Sequence, residues 1–349
     1  MNFNNQYSEI KKLRKKEAIK KRIVFTFICV ILSVIMFFLG FGSALVMTNN
    51  VQIINKIIPA NNKGDILAKS SGQQEEKNNT DKELIYLEAL KNDMIDTVKA
   101  KYPSVDLSFA IKNLDTGASV TYDNKKMNSA SIIKLFIMET VYDKISDKEY
   151  KLTKEKEKEL EFMITQSKNG AANLFIDDFG GVNEKRKVPE TNIINQNILK
   201  HGYEFTELNR KMHDTTPPEG PSGYQNYTSA GDVVKLLEGI YHKKHFDEPY
   251  NTYAVNLLKN QQRRSKIPKK ISEKYNDVTV ANKTGELSQV ENDAALIMCE
   301  DFNLAFVVLI DNIPLNADGS TNYSLKNEVQ DTISDLGLML VDFYKENNI

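Results

Sequence analysis

The chain has 349 residues, 46 Lys and Arg against 47 Asp and Glu, and a formal net charge of −1, with 27% of its residues charged. That length exceeds one typical domain and suffices for a sizeable core, while the balanced charge leaves no electrostatic footprint for nucleic acid. Two cysteines, Cys29 in an apolar run and Cys299 in a predicted strand, make no plausible disulfide, so stability is expected from packing.

Residues 1–22 form a basic tail carrying Lys11, Lys12, Arg14, Lys15, Lys16, Lys20, Lys21 and Arg22. From Ile23 to Met47 no residue is charged, a run long enough to cross a bilayer as a helix. The positive-inside rule puts the tail in the cytoplasm and everything after Met47 outside. The expectation is therefore a single-pass cell-membrane protein with a transmembrane helix at 23–47; a cleaved signal peptide or a buried core helix are the competing readings. Residues 48–81, rich in Asn, Lys, Ser, Gln and Glu with few apolar side chains toward their end, read as a flexible extracytoplasmic linker.

From Lys82 the pattern becomes globular. Leu87, Leu90, Met94 and Val98 recur at helical spacing, and Val105, Leu107, Phe109 and Ile111 alternate as in a strand. Asp115-Thr116-Gly117 makes a turn, from which Ser119 to Tyr122 return as a hairpin. Residues 131–274 read mainly as helices and polar loops. Val278 to Lys283, Ala294 to Cys299 and Leu304 to Ile310 are strand-like, and Val329, Ile333, Leu336, Leu340 and Phe343 form a closing amphipathic helix. Strands at both ends with helices between predict an α+β fold: an antiparallel sheet flanked by N- and C-terminal helices, with an inserted helical subdomain at about 131–274 and an active site in the cleft between them.

Three motifs fall where the two parts meet. Ser131-Ile132-Ile133-Lys134 puts a hydroxyl and an amine on one helical face among apolar residues, where lost hydration lowers a lysine pKa and frees an amine to take the serine proton. Ser167-Lys168-Asn169 occupies an interhelix corner, and Lys283-Thr284-Gly285 ends a predicted strand where glycine permits close backbone approach to a ligand. Taken singly, each reads equally well as a first-turn serine with a solvent-reaching lysine, a polar loop and an edge-strand turn. Ser8-Glu9-Ile10-Lys11 and Ser320-Thr321-Asn322 repeat two of the patterns by chance, so order and context must decide.

Together, in this order, the motifs resemble the class A β-lactamase and penicillin-binding active-site-serine hydrolase superfamily. The resemblance runs from about Lys82 to Ile349. It extends through Ser167 to Leu174 (SKNGAANL), Asn292-Asp293-Ala294, and Asn226-Tyr227-Thr228-Ser229-Ala230 with Asp232. It implies a β-lactamase/transpeptidase-like fold over residues 82–349 and a substrate that is a β-lactam or a D-Ala-D-Ala-type peptidoglycan peptide. Ser131 would be the acylated nucleophile, Lys134 its base and Ser167 the proton relay to the departing nitrogen. Asn169, Lys283, Thr284 and Gly285 would bind substrate, and the backbone N–H groups of Ser131 and Glu286 would form the oxyanion hole.

The departures concern the second half of the reaction. Thr206, Leu208 and Arg210 match the family's T-x-L-x-R, and its deacylating glutamate belongs two residues later, at Met212. A thioether cannot activate water, so slow hydrolysis of the acyl-enzyme is expected. Glu207, His213, Asp214 and Glu219 are nearby alternatives in the same stretch. Lys168 replaces an aspartate, and Glu286 adds an acid that would repel a substrate carboxylate if it faced the cleft. A penicillin-binding DD-carboxypeptidase-like enzyme, or a non-catalytic cell-wall or partner-binding module on the same fold, are the alternatives. His201, His213, His242 and His245 give no serine-triad pattern, and His242-Lys243-Lys244-His245 reads as a solvated polar face; no metal and no cofactor are expected. The oligomeric state is not readable.

Overall fold

The alternating apolar positions at the two ends of the globular part build one sheet. A computed structural model describes residues 63–181, 192–212 and 225–347, with side chains from residue 80 onward. The chain divides into two units, Met1–Glu75 and Glu76–Ile349. The expected transmembrane helix at 23–47 and its basic tail lie outside the described residues; among the described residues, no helix is long and apolar enough to cross a membrane.

In chain order, helix α1 (Lys63–Lys101) leads into strands β1 (Asp106–Asn113), β2 (Ser119–Tyr122) and β3 (Met127–Asn128). A 3-10 turn (Ala130–Ile132) then opens helices α2 (Ile133–Ser146), α3 (Lys154–Thr165), α4 (Asn169–Asp178) and α5 (Ile193–Lys200). Strand β4 (Tyr227–Thr228) and helices α6 (Ala230–Tyr241), α7 (Tyr250–Lys259) and α8 (Pro268–Lys274) follow. Strands β5 (Thr279–Leu287), β6 (Val290–Met298) and β7 (Asn303–Asp311) and helix α9 (Tyr323–Asn347) complete the fold.

The sheet is antiparallel, in the order β2-β1-β7-β6-β5. Its faces follow from the two-residue period of strands. On β7, Leu304, Phe306, Val308 and Ile310 join a core with Leu87, Met94 and Val98 of α1 and Val329, Ile333, Leu336 and Leu340 of α9. Ala305, Val307 and Leu309 face the other way, into a core shared with Phe136 and Met138 of α2 and the remaining helices. Burying each of these large side chains contributes about 1.5–3 kcal/mol before conformational entropy is counted. Covered on both faces, the central strands lose any clean polar alternation.

Helix α1 begins at Lys63, inside the 48–81 stretch read as a flexible linker. Its Lys, Glu, Gln and Ala residues are good helix formers, so polar composition there removed the burial signal without removing helix propensity. From α1, Glu83 is buried, accepting from Asn113 Nδ2 (2.7 Å), Thr116 Oγ1 (2.6 Å) and Tyr344 Oη (2.6 Å), which ties the first helix to β1, its turn and α9.

Two further boundaries differ from the sequence reading. Strand β5 does not stop at Lys283 but runs through Thr284 and Gly285 to Leu287, because the facing residues Ala294, Asp293 and Asn292 continue its ladder. A two-stranded ribbon, Met127 and Asn128 paired with Thr228 and Tyr227, also joins the segment just before Ser131 to the helical insertion.

Candidate active site

β5 is the edge strand that borders the helical part, and the segment before Ser131 is pressed against it. A Cβ on Gly285 would lie 2.8 Å from the Ser129 carbonyl and 3.1 Å from Ile132. The glycine therefore allows the strand to pack closely against the turn that carries Ser131. Asn292 of β6 holds the same segment by donating Nδ2 to the carbonyls of Asn128 (2.8 Å) and Ser129 (3.3 Å) while its Oδ1 accepts from Ile310 N–H (3.1 Å). Ala130, immediately before the serine, has φ 46°, a left-handed conformation unfavourable for a residue with a Cβ.

The three motifs converge on one polar network. Lys134, fully buried in the first turn of α2, donates Nζ to Ser131 Oγ (3.0 Å), Ser167 O (2.6 Å), Ser167 Oγ (3.3 Å) and Asn169 Oδ1 (2.7 Å). Lys283 reaches the same hydroxyl from the sheet side, with Nζ 2.9 Å from Ser167 Oγ and 2.7 Å from the Thr284 carbonyl. Ser167 is thus shared by two lysines from opposite walls, and its own φ of 60° is what turns both its carbonyl and its hydroxyl toward them. Complete burial pushes the Lys283 ammonium well below its usual range, and the nearby cations Lys134, Arg263 and Lys266 push the same way against Asp293. An arriving carboxylate would favour the charged form again.

Lys168, where an aspartate was expected, does not enter this network. Its ammonium sits 3.7 Å from the centroid of the Phe162 ring, a cation–π contact on the outside of the corner. Glu286 lines the cavity at Ser131, but its charge is paired. Its carboxylate meets Arg263 Nη1 at 2.9 Å and Lys266 Nζ at 3.3 Å. Burial would raise its pKa, but those two cations outweigh burial and hold it below the usual carboxylate value. Lys266 is itself buried and pairs with Glu291 (2.6 Å), whose other oxygen takes Lys326 (2.9 Å). Below them, burial pushes Asp293 up to about 6 despite the nearby Lys266 and the hydrogen bonds it accepts from Asn282, Ile267 N–H and Ala294 N–H.

A cavity of about 240 Å³ opens on Ser131, lined also by Asn169, Arg210, Met212, Asn226 and Glu286. Met212 is fixed there by its backbone: its N–H donates to Asn173 Oδ1 (2.7 Å) and its carbonyl accepts from Asn173 Nδ2 (2.9 Å). Asn226 Nδ2 bonds the Arg210 carbonyl (3.1 Å) and approaches the Met212 sulfur (3.6 Å). Of the other acids and bases weighed near this stretch, Glu207 pairs with Lys126 (2.7 Å), and His213, Asp214 and Glu219 lie outside the described residues. The sequence reading missed Asn173, Arg263 and Lys266. Asn173 stood within the SKNGAANL match, whereas nothing local marks Arg263 or Lys266.

Fold and network together define an α+β protein of the β-lactamase and penicillin-binding type. The chain belongs to the β-lactamase enzyme family, whose model matches residues 89–159 and 157–344. No curated protein matches its sequence. Among solved structures it is similar to a β-lactamase from Sphaerobacter thermophilus DSM 20745, at 19% identity over 71% of this chain and 95% of that one, with a TM-score of 0.57. It is also similar to PBP-A, at 18% identity over 74% and 96% of the two chains with a TM-score of 0.57. A mutant of the class A β-lactamase of the last common ancestor of Gram-negative bacteria aligns at 18% identity over 74% and 99%, with a TM-score of 0.58.

Proposed function

We propose that this chain is a serine hydrolase that acylates Ser131 with β-lactams or D-Ala-D-Ala-type cell-wall peptides and releases the acyl group slowly. The observation that carries this reading is the Lys134 amine 3.0 Å from Ser131 Oγ, with Ser167 bridging Lys134 and Lys283. In acylation, Ser131 Oγ bonds the substrate carbonyl carbon as its proton passes to neutral Lys134. The carbon–nitrogen bond then breaks, and the nitrogen takes a proton through Ser167. Lys283 and Thr284 would hold the substrate carboxylate, Asn169 its amide, and the N–H groups of Ser131 and Glu286 the developing oxyanion, each such donor contributing about 3–4 kcal/mol. Deacylation needs a base beside the ester, and Met212, one of the residues lining the cavity, can supply none.

A penicillin-binding role, carboxypeptidase-like with persistent acylation by lactams, is favoured over efficient lactam turnover by Met212. A leucine-to-glutamate mutant of PBP-A has been captured as an acyl-enzyme with penicillin G, so a lactam acyl-enzyme is an established species on a similar fold. Residues 23–47 would anchor the protein as a single span, with the 82–349 domain extracytoplasmic, and protease accessibility of intact cells tests that orientation. The decisive experiment incubates the full-length chain with a fluorescent penicillin beside Ser131→Ala. Ser131-dependent label that persists is the expected result. Rapid loss of label with product release indicates a lactamase, and no label at high ligand indicates a binding module without lactam chemistry.

A further inference from the structure

Away from the acylation network, the helical part holds a second group of chemically active side chains. Glu139 lies five residues after Lys134 on α2 and is fully buried. His201 caps the C-terminal end of α5, and His245 lies in the loop after α6. The sequence reading set His245 beside His242 on a solvated face. The fold instead turns His245 inward, its ring centroid 4.6 Å from that of His201, while His242 stays exposed.

One donor atom from each of Glu139, His201 and His245 lies within 4.8 Å of the other two. Tyr203 Oη donates to Glu139 Oε1 (2.6 Å), and His245 Nδ1 is in contact with that same oxygen. Glu139 Oε2 lacks a hydrogen-bond partner among the described residues, and the contact of His201 Nε2 with Asp143 Oδ2 is long, at 3.5 Å. A buried carboxylate oxygen left unpartnered beside two imidazoles is costly, and a bound cation would satisfy it. The packing also accommodates the arrangement. A Cβ on Gly239 of α6 would lie 1.9 Å from His245 Nε2, so the imidazole occupies space that only a glycine leaves open.

We propose that Glu139, His201 and His245 form a structural site for a divalent transition-metal ion, with zinc the best match. Two imidazoles and one carboxylate suit zinc, whereas calcium and magnesium prefer all-oxygen sets. Donors of a tetrahedral zinc site lie roughly 3.3 Å apart, given metal–ligand distances of about 2.0–2.1 Å, so binding takes small rotations that part His245 Nδ1 from Glu139 Oε1 and draw the wider pairs together. Asp143 Oδ2, 3.5 Å from His201 Nε2 and paired with Lys200 Nζ (2.9 Å), would turn from that lysine to serve as the fourth donor, and Tyr203 supplies the hydrogen bond that orients Glu139. Such an ion would join α2, the end of α5 and the loop after α6 at a point unrelated to the acyl-transfer groups.

The test uses the full-length chain purified in detergent, stripped with a chelator and titrated with zinc against a chromophoric competitor. The expected result is one zinc per chain, a melting temperature several degrees higher with zinc than with chelator, and the visible bands of a tetrahedral site when cobalt(II) replaces it. His201→Asn and His245→Asn should each weaken binding by about a hundredfold, and Gly239→Ala should weaken it by displacing His245. Penicillin labelling of Ser131 should persist in these variants, separating loss of the metal from loss of the fold. Should a variant not fold, stoichiometry and the cobalt spectrum of the unaltered chain decide. Failure to retain stoichiometric zinc, or equal affinity in the chain and both histidine variants, overturns the proposal.

Discussion

The two walls of the cavity at Ser131 are built differently. On the wall made by α2, the Ser167 corner and β5, every motif side chain that could move a proton is held by at least one hydrogen bond, and both lysines are wholly buried. On the other wall, Met212 is held as firmly, but through its backbone, by the paired hydrogen bonds of Asn173. One wall positions chemistry; the other positions a side chain with none. In the reaction proposed above, the first wall would serve acylation while the second offers no base for deacylation, because backbone clamps fix a loop whatever side chain it carries.

The largest test of the contrast removes the first wall's chemistry. Ser131→Ala should abolish covalent penicillin labelling, and Lys134→Ala should slow it by about 10²–10⁴-fold, read as the labelling rate at fixed ligand. If Lys134→Ala labels at the parent rate, Ser131 draws on another base and the network described here is not the acylating one. Ser167→Ala should follow with a smaller loss of about 10²-fold, since it removes the hydroxyl shared by Lys134 and Lys283 but not the nucleophile.

Giving the second wall a base is the complementary test. Met212→Glu should leave labelling intact and hasten loss of label by at least about tenfold; an unchanged rate would mean that this side chain does not reach the ester. Asn173→Ala leaves the Met212 N–H and carbonyl without their partners and should cost about 1–3 kcal/mol in denaturant unfolding, with a modest effect on labelling. The smallest effect belongs to the Arg263–Glu286 pair at the rim. Glu286 has its pKa held below its ordinary 4.5, so its pairing contributes stability that is fully present above about pH 4.5 and is lost as pH falls through its folded value. Arg263→Ala should thus lower stability near neutral pH by less than about 1 kcal/mol, since Arg263 is half exposed, and the gap from the parent should close in acid melts.

Much of this was legible in the chain. The strands around Phe109, Ala294 and Phe306 announced themselves by burial pattern, and the order of Ser131, Ser167 and Lys283 separated the real motifs from their copies at Ser8 and Ser320. Met212 was found by counting from Arg210, and the structure puts it on the cavity at Ser131. What stayed hidden depended on contacts between separate elements. The orientation of Glu286 is set by Arg263 and Lys266, more than 19 residues upstream, and that of Lys168 by a ring on the preceding helix. The 48–81 stretch was misjudged where α1 begins, because composition reports burial better than helix propensity.

Periodicity and three short motifs in a set order were enough for the α+β class and for naming Ser131, Lys134 and Ser167 as candidates, since these signals lie within single elements. Only the tertiary structure decided that Ser167 is shared between two lysines, that Gly285 makes room for the Ser129 carbonyl, that Glu286 faces cations, and that His245 meets His201 and Glu139. Those outcomes depend on side-chain direction and on contacts between elements separated by tens to more than a hundred residues. Local pattern carries no record of them.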